Sequence, residues 1–200
     1  MSTDKQIEIE HIKKEIEHLA SSPLYPYRIE NNYHSVIGEG SLDAKIVFVG
    51  EAPGKKEAET GKPFCGKSGK ILDELLASTS LDRNTVYITN IVKDRPPENR
   101  DPTQEEIGLY GPFLDRQIEI IQPEIIATLG RFSMEYVLSR YGSEGRMVPI
   151  RKAHGHIFEV RVKYGNVKVI PLYHPAASIY NQKLKQTLFD DFQKIKTKNK

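Results

Sequence analysis

The chain has 200 residues, 38% of them hydrophobic and 28% charged, with a formal net charge of +2 at pH 7. This length suits a single domain with one sizeable core, and the small net charge alone does not indicate nucleic-acid binding. No apolar run approaches the roughly 20 residues of a membrane-spanning helix, so no membrane association is expected; the charged N-terminus and single cysteine favour a cytoplasmic protein.

The first part of the chain predicts a helix, a strand and a second helix. Ile9, Ile12, Ile16 and Leu19 recur at helical spacing, which predicts an amphipathic helix over about 5–20. The continuous apolar run IVFVG at 46–50 is typical of a strand buried on both faces. The segment 67–79, KSGKILDELLAST, predicts the next helix.

The second part continues the alternation. Strands are predicted at 85–92 and 124–130, and helices at 103–122 and 131–140, the first of these opened by the start signal Asp101-Pro102-Thr103. Residues 156–170 predict a hairpin whose second arm runs into a fourth strand at 168–174, before a closing helix and a basic tail at about 196–200. The chain is therefore interpreted as one α/β domain over 1–200, with a mostly parallel sheet covered by helices on both faces.

Polar side chains stand where the predicted strands end. Glu51 directly follows the first strand, Asn90 lies near the end of the second, and His174 ends the fourth. Because ligands of parallel sheets sit beyond the carboxyl ends of the strands, these three side chains are expected to share one rim. Each also has an ordinary structural interpretation, as a loop carboxylate, a strand-end amide or a turn histidine.

Four motifs in chain order resemble those of family-four uracil-DNA glycosylases. They are GEAPG (50–54), TGKPF (60–64), YITNIVKDRPPENR (87–100) and HPAA (174–177). Each motif is a weak signal alone, but their order and spacing hold from about residue 38 to residue 192. The resemblance implies a three-layer α/β/α sandwich with a central four-stranded sheet. It also implies a monomeric DNA repair enzyme that flips uracil out of DNA and hydrolyses its glycosidic bond.

The resemblance implies catalytic roles for two residues. Glu51 would orient or activate the attacking water and stabilise the cationic sugar. His174 would donate a hydrogen bond to the uracil oxygen on which negative charge gathers as the bond breaks.

The resemblance implies that other residues bind the base. Asn90 would read the Watson–Crick edge, because an amide can accept from uracil N3–H and donate to O4, whereas cytosine presents the opposite pattern. Phe64 would stack on the flipped base. Gly50 and Ala52 are expected in the same site, with the Ala52 backbone N–H meeting a uracil carbonyl.

The predicted DNA contacts are more open to alternatives. The family places a loop that fills the gap left by the flipped base after HPAA, so Ile179 or Tyr180 is expected to be the wedge, or else to pack the last helix. Basic residues in loops are expected to contact phosphates, with solvated surface charge as the alternative: Lys67, Lys93, Arg95 and Arg100.

The sequence also has features of two other functions. GKPFCGKS at 61–68 matches the phosphate-binding pattern G-x-x-x-x-G-K-[ST], but the preceding strand ends eleven residues earlier at Gly50, which disfavours a nucleotide hydrolase. The alternative to the glycosylase is a non-catalytic DNA- or nucleotide-binding module on the same fold.

The chain departs from the family at its iron–sulfur cluster, which four cysteines usually hold. Only Cys65 is present, and Asp94 and Tyr110 align with two of the cysteine positions. Because thiolates hold such clusters, no cluster and no other cofactor or metal is expected. Tyr-rich packing around residues 24–27 and Tyr110 is expected to fill the space.

Overall fold

The computed structural model describes residues 2–142, 148–179 and 181–195. Six strands form one sheet: β1 (Glu39–Gly40), β2 (Ile46–Gly50), β3 (Tyr87–Asn90), β4 (Ile125–Leu129), β5 (Phe158–Val162) and β6 (Gly165–Leu172). Their spatial order is β1-β3-β2-β4-β6-β5. The central four strands are mutually parallel, and β1 and β5 pair antiparallel at the two edges. The four predicted parallel strands are confirmed, and β5 with β6 forms the predicted hairpin. The sheet has six strands rather than four because β5 and the two-residue β1, which was not predicted, add to its edges.

Eight α-helices lie in the described part of the chain. They are α1 (Ser2–Glu17), α2 (Tyr25–Glu30), α3 (Lys55–Thr60), α4 (Lys67–Ser78), α5 (Gln104–Ile121), α6 (Arg131–Tyr141), α7 (Ile150–Ala153) and α8 (Gln182–Phe192). The five long helices were predicted, whereas the short helices α2, α3 and α7 were not. None of the helices formed by these residues combines the length and apolarity that crossing a membrane would require. The predicted basic tail at 196–200 lies outside the described residues.

The sheet divides the core into two apolar layers. Side chains of β2 alternate between them: Val47 and Val49 face the layer shared with α1, α5 and α6, while Ile46 and Phe48 face the layer shared with α4 and α8. All five residues of β2 are buried, as expected for a strand covered on both faces. The fold is therefore the predicted three-layer α/β/α sandwich.

The register of the sheet brings the strand ends to one edge. Gly50 pairs with Asn90 between β2 and β3, and Leu129 pairs with Leu172 between β4 and β6. Because these strands are parallel, the residues that follow them emerge side by side at the carboxyl edge. The sequence motifs at 50–54, 90–100 and 174–177 consequently meet there.

Candidate active site

A cavity of about 350 Å³ opens at the carboxyl edge of the sheet. Its lining includes five of the six residues predicted to catalyse the reaction or bind the base: Glu51, Ala52, Phe64, Asn90 and His174. Loops after β2 and β3 complete the wall. The cavity lies within the size range of small-molecule sites and combines an aromatic ring with a few polar groups. The predicted convergence of carboxylate, amide and imidazole at one rim is confirmed.

Glu51 supplies a carboxyl group whose ionisation is displaced to neutral pH. It directly follows β2, and its side chain is partly buried in the cavity wall. Burial raises the pKa of Glu51 from 4.5 to about 7, the negative charge of Asp101 adds to the rise, and the positive charge of Arg131 opposes it. A carboxyl group with this pKa is poised to exchange a proton with water near neutral pH.

His174 presents a neutral imidazole with a defined tautomer. The backbone N–H of Ala176 donates to His174 Nδ1 at 3.2 Å, so Nδ1 is an acceptor and the ring proton resides on Nε2. Burial lowers the pKa of His174 to about 4, although the charge of Glu57 partly opposes this. At neutral pH the side chain is therefore an uncharged donor through Nε2–H.

Asn90 places its side-chain amide in the cavity wall. It is the last residue of β3 and only 2% exposed. Its side chain lines the cavity, and among residues 2–142, 148–179 and 181–195 no hydrogen bond from another side chain holds its amide. Gly50 makes room for it: a Cβ there would collide with Asn90 Oδ1 and lie 2.6 Å from Phe64 Cζ. This amide is available to a ligand.

Phe64 reaches the cavity from a strained loop. Its backbone φ is +47°, in the left-handed region that residues other than glycine rarely adopt. The centroid of its ring lies 5.8 Å from that of the His174 ring. Glu57, another cavity residue, anchors the loop because its Oε1 accepts from the backbone N–H groups of Cys65 at 3.1 Å and Gly66 at 2.8 Å. The loop follows helix α3 rather than a strand, which agrees with the rejection of a phosphate-binding loop.

The chain matches the uracil DNA glycosylase superfamily over residues 37–195. The chain belongs to this superfamily. It is 43% identical over 189 residues to the type-4 uracil-DNA glycosylase of Sulfurisphaera tokodaii, a match that covers 94% of this chain and 83% of the relative. It is 46% identical to the type-4 enzyme of Archaeoglobus fulgidus and 42% identical to that of Thermotoga maritima. The match to the Archaeoglobus fulgidus enzyme covers 84% of this chain and 83% of the relative, and the match to the Thermotoga maritima enzyme covers 84% of both.

Two of the basic residues predicted to contact phosphates in this superfamily member are buried. Lys93 has no exposed surface, and its ammonium group is bonded to protein oxygens, so the prediction of a phosphate contact was wrong. Arg95 is 8% exposed, and its guanidinium bonds the hydroxyls of Tyr27 and Tyr33 and the side chain of Asn99. Arg95 therefore braces the loop that lines the cavity instead of reaching outward.

The remaining predicted DNA contacts lie at the surface or near it. Lys67 is exposed at the first turn of α4, and Arg100 lines the cavity while bonding both carboxylate oxygens of Glu106. Ile179 is half-buried after the turn at Pro175–Ser178, and Tyr180 lies outside the described residues. Arg131, which sequence reasoning missed, is exposed at the start of α6 and close enough to Glu51 to influence its charge.

The positions aligned with the cluster cysteines carry a hydrogen-bonded group of oxygen and nitrogen atoms. Asp94 accepts from Tyr110 Oη at 2.7 Å, Arg28 Nε at 3.1 Å and Ser35 Oγ at 2.5 Å, and Tyr110 Oη lies 2.9 Å from Ser22 Oγ. We call these five residues the Asp94 cluster. Burial raises the pKa of Asp94, and the bonds from Ser35, Tyr110 and Arg28 oppose that rise.

The Asp94 cluster does not fit an iron–sulfur group. It offers no thiolate, and its polar atoms already satisfy one another. The expected Tyr-rich packing is correct for Tyr110, which is fully buried, but Tyr27 bonds Arg95 instead. The space is held by a buried ion pair and hydroxyl groups rather than by aromatic packing alone. Cys65 is only partly buried, and its Sγ lies 3.2 Å from Thr60 Oγ1 in the Phe64 loop.

Proposed function

We propose that Glu51 and His174 catalyse the removal of uracil from DNA in this chain and that Asn90 recognises the base. The chain is a uracil-DNA glycosylase of base excision repair, a hydrolase that acts on an N-glycosidic bond. The observation that carries the assignment of roles is the pairing of a carboxyl group with a raised pKa and a neutral imidazole donor in one cavity. These two groups match the two charges that develop when the bond breaks.

The chemistry requires opposite charges to be stabilised at the two ends of the breaking bond. As the bond between base and sugar lengthens, the sugar becomes cationic and the uracil becomes anionic. The Glu51 carboxylate stabilises the sugar and accepts a proton from the attacking water, leaving the free base and an abasic site. His174 Nε2–H donates to the uracil oxygen that gains charge, and its neutral state means that no proton must be lost first.

Asn90 and the cavity residues around it recognise the base. The amide accepts from uracil N3–H and donates to O4, while cytosine would leave both groups unpaired. Phe64 stacks on the ring, and the Ala52 N–H meets a carbonyl at the rim above Gly50. Because the bond to be cut is inaccessible within the helix, the nucleotide must first be flipped into the cavity.

Several finer features belong to the same proposal. Lys67 and Arg100 contact phosphates beside the cavity, and Ile179 or Tyr180 fills the gap left by the flipped base. The enzyme acts as a monomer and as one domain, in the cytoplasm, on uracil in single- or double-stranded DNA.

The experiment is uracil excision from labelled single- and double-stranded oligonucleotides, followed by alkaline cleavage of abasic sites. Glu51→Gln is expected to lose at least 100-fold in rate while still binding DNA. Asn90→Asp is expected to relax discrimination against cytosine. Glu124→Gln, an exposed change at the opposite edge of the sheet, is the control. Full activity of Glu51→Gln would overturn its role, and a salt-sensitive DNA complex without any product would favour a binding module.

A further inference from the structure

Lys93 is a buried cation behind the wall of the active site. Its side chain has no exposed surface, and it lies three residues beyond Asn90, in the turn that follows β3. Its Nζ donates to the backbone carbonyl of Asn90 at 2.6 Å, to Thr89 Oγ1 at 2.7 Å and to Gln117 Oε1 at 2.6 Å. Lys93 thus bends back on its own segment and joins the end of β3 to helix α5.

The three closest partners of Lys93 act only as acceptors toward it, and a fourth acceptor, the Ile37 carbonyl, lies farther away at 3.4 Å. The Thr89 hydroxyl donates its proton to the Ile37 carbonyl at 2.7 Å, and the Gln117 amide nitrogen donates to the same carbonyl at 2.9 Å. Both groups therefore turn an oxygen toward Lys93. Burial lowers the pKa of the Lys93 amine well below its usual value, but only the ammonium form has three N–H groups for three acceptors.

A buried ammonium is a costly way to fill space. Apolar residues of similar size often serve stability as well or better, because they carry no desolvation penalty. What the ammonium adds is direction, since each bond fixes the orientation of its acceptor. One of these acceptors is the backbone carbonyl of Asn90, the residue whose side-chain amide lines the cavity.

The backbone beside Asn90 is tied to the catalytic strand as well. The N–H of Ile91 donates to the Gly50 carbonyl at 3.1 Å, and the N–H of Val92 donates to the Glu51 carbonyl at 3.0 Å. Lys93 closes the same short segment from its other side through Asn90 O. The direction of the Asn90 side chain is therefore set between β2 and the Lys93 ammonium.

We propose that Lys93 is a positioning residue that orients Asn90 toward the uracil edge by holding its carbonyl from behind the cavity. The inference rests on the role proposed for Asn90. Lys93 touches neither base nor phosphate and acts only through its neighbour. A displacement of the reading amide by about 1 Å is enough to cost on the order of 100-fold in rate.

The test is a double-mutant cycle measured as single-turnover uracil excision. Lys93→Met keeps the length of the side chain and removes its three donors. We expect a loss of about 10- to 100-fold in the wild-type background and a change of less than about 2-fold in the Asn90→Ala background. The affinity for free uracil as a product inhibitor should fall in the first background and not in the second.

Tyr110→Phe is the matched control, because it removes a buried hydrogen bond of the Asp94 cluster and does not touch Asn90. Its effect should be the same in both backgrounds. If Lys93→Met does not fold, Gln117→Met removes one of the oxygens that hold the ammonium and is read by the same cycle.

The outcomes separate the two proposals. If Asn90→Ala itself leaves excision and selectivity unchanged, the reading role of Asn90 is wrong, and the positioning role of Lys93 falls with it. If Asn90→Ala impairs excision but Lys93→Met costs equally in both backgrounds, Lys93 only stabilises the fold. No effect of Lys93→Met in the wild-type background would overturn the inference as well.

Discussion

Replacing Glu51 by glutamine should make the protein more stable at alkaline pH while it loses activity. The structure raises the pKa of Glu51 from 4.5 to about 7, chiefly by burial. In the unfolded chain the carboxyl group loses its proton near its ordinary pKa, whereas in the folded protein it keeps the proton up to about 7. Between these two values the unfolded state binds fewer protons, so the free energy of unfolding falls as pH rises.

The magnitude follows from the distance between the two pKa values. At about 1.4 kcal/mol per pH unit, the folded protein loses about 3 kcal/mol of stability by the time Glu51 is ionised. Solvent enters the cavity mouth and screens part of this cost, so we expect about 2 kcal/mol. For a chain of this size that corresponds to a rise of about 5 °C in the Tm of Glu51→Gln above pH 8.

The assay is urea unfolding of both proteins at pH 5 and pH 8.5. The variant should be more stable by about 2 kcal/mol at pH 8.5 and nearly equal to the wild type at pH 5. His174 titrates in both proteins, so its contribution cancels in the difference. A stability difference that is the same at both pH values would refute the reasoning, because it would mean that Glu51 does not ionise with the displaced pKa.

Three further predictions follow from the site and its surroundings. For the wild type, kcat/KM should rise with pH and level off above about pH 7 as Glu51 ionises. No second inflection is expected near pH 6.5, because His174 stays neutral down to about pH 4. A flat profile from pH 5 to 9 would contradict this prediction. In DNA-binding titrations, Lys67→Ala should reduce the slope of log affinity against log salt by about 1, whereas Lys45→Ala at the opposite edge should leave the slope unchanged. Tyr110→Phe should lower the free energy of unfolding by about 1–2 kcal/mol in denaturant titrations without changing uracil excision at 25 °C, and reduced excision by the folded variant would show that the Asp94 cluster reaches the site.

The parallel core was predictable because its signals are local. The run at 46–50 is apolar without interruption, which is enough to indicate a strand covered on both faces. The start of α5 was also predictable, because Thr103 followed by Glu106 is the sequence pattern of a capping box. In the structure the Glu106 N–H donates to Thr103 Oγ1, and the Thr103 N–H donates to Glu106 Oε2. The two-residue β1 and the short helices have no periodicity to detect.

The burial of the charged side chains in the segment 93–95 could not be predicted from the sequence. Lysine and arginine beside prolines in a loop usually indicate a solvated surface. Their burial here depends on partners far along the chain: Gln117 and Ile37 for Lys93, and Tyr27 and Tyr33 for Arg95. The order of strand ends predicts which residues meet at the rim, but it does not reveal which side chains support them from behind.

The Asp94 cluster also has a consequence for how the enzyme is made. It joins the segment before β1 to the turn after β3 and to α5 through amino-acid side chains alone. This tether is complete once the polypeptide has folded, without delivery of iron or sulfide. Burial raises the pKa of Asp94, so the folded state binds this proton more tightly than the unfolded state does. The contribution of Asp94 to the free energy of unfolding therefore falls as pH rises, and it does not depend on an oxidation state or on a metal that a chelator could remove.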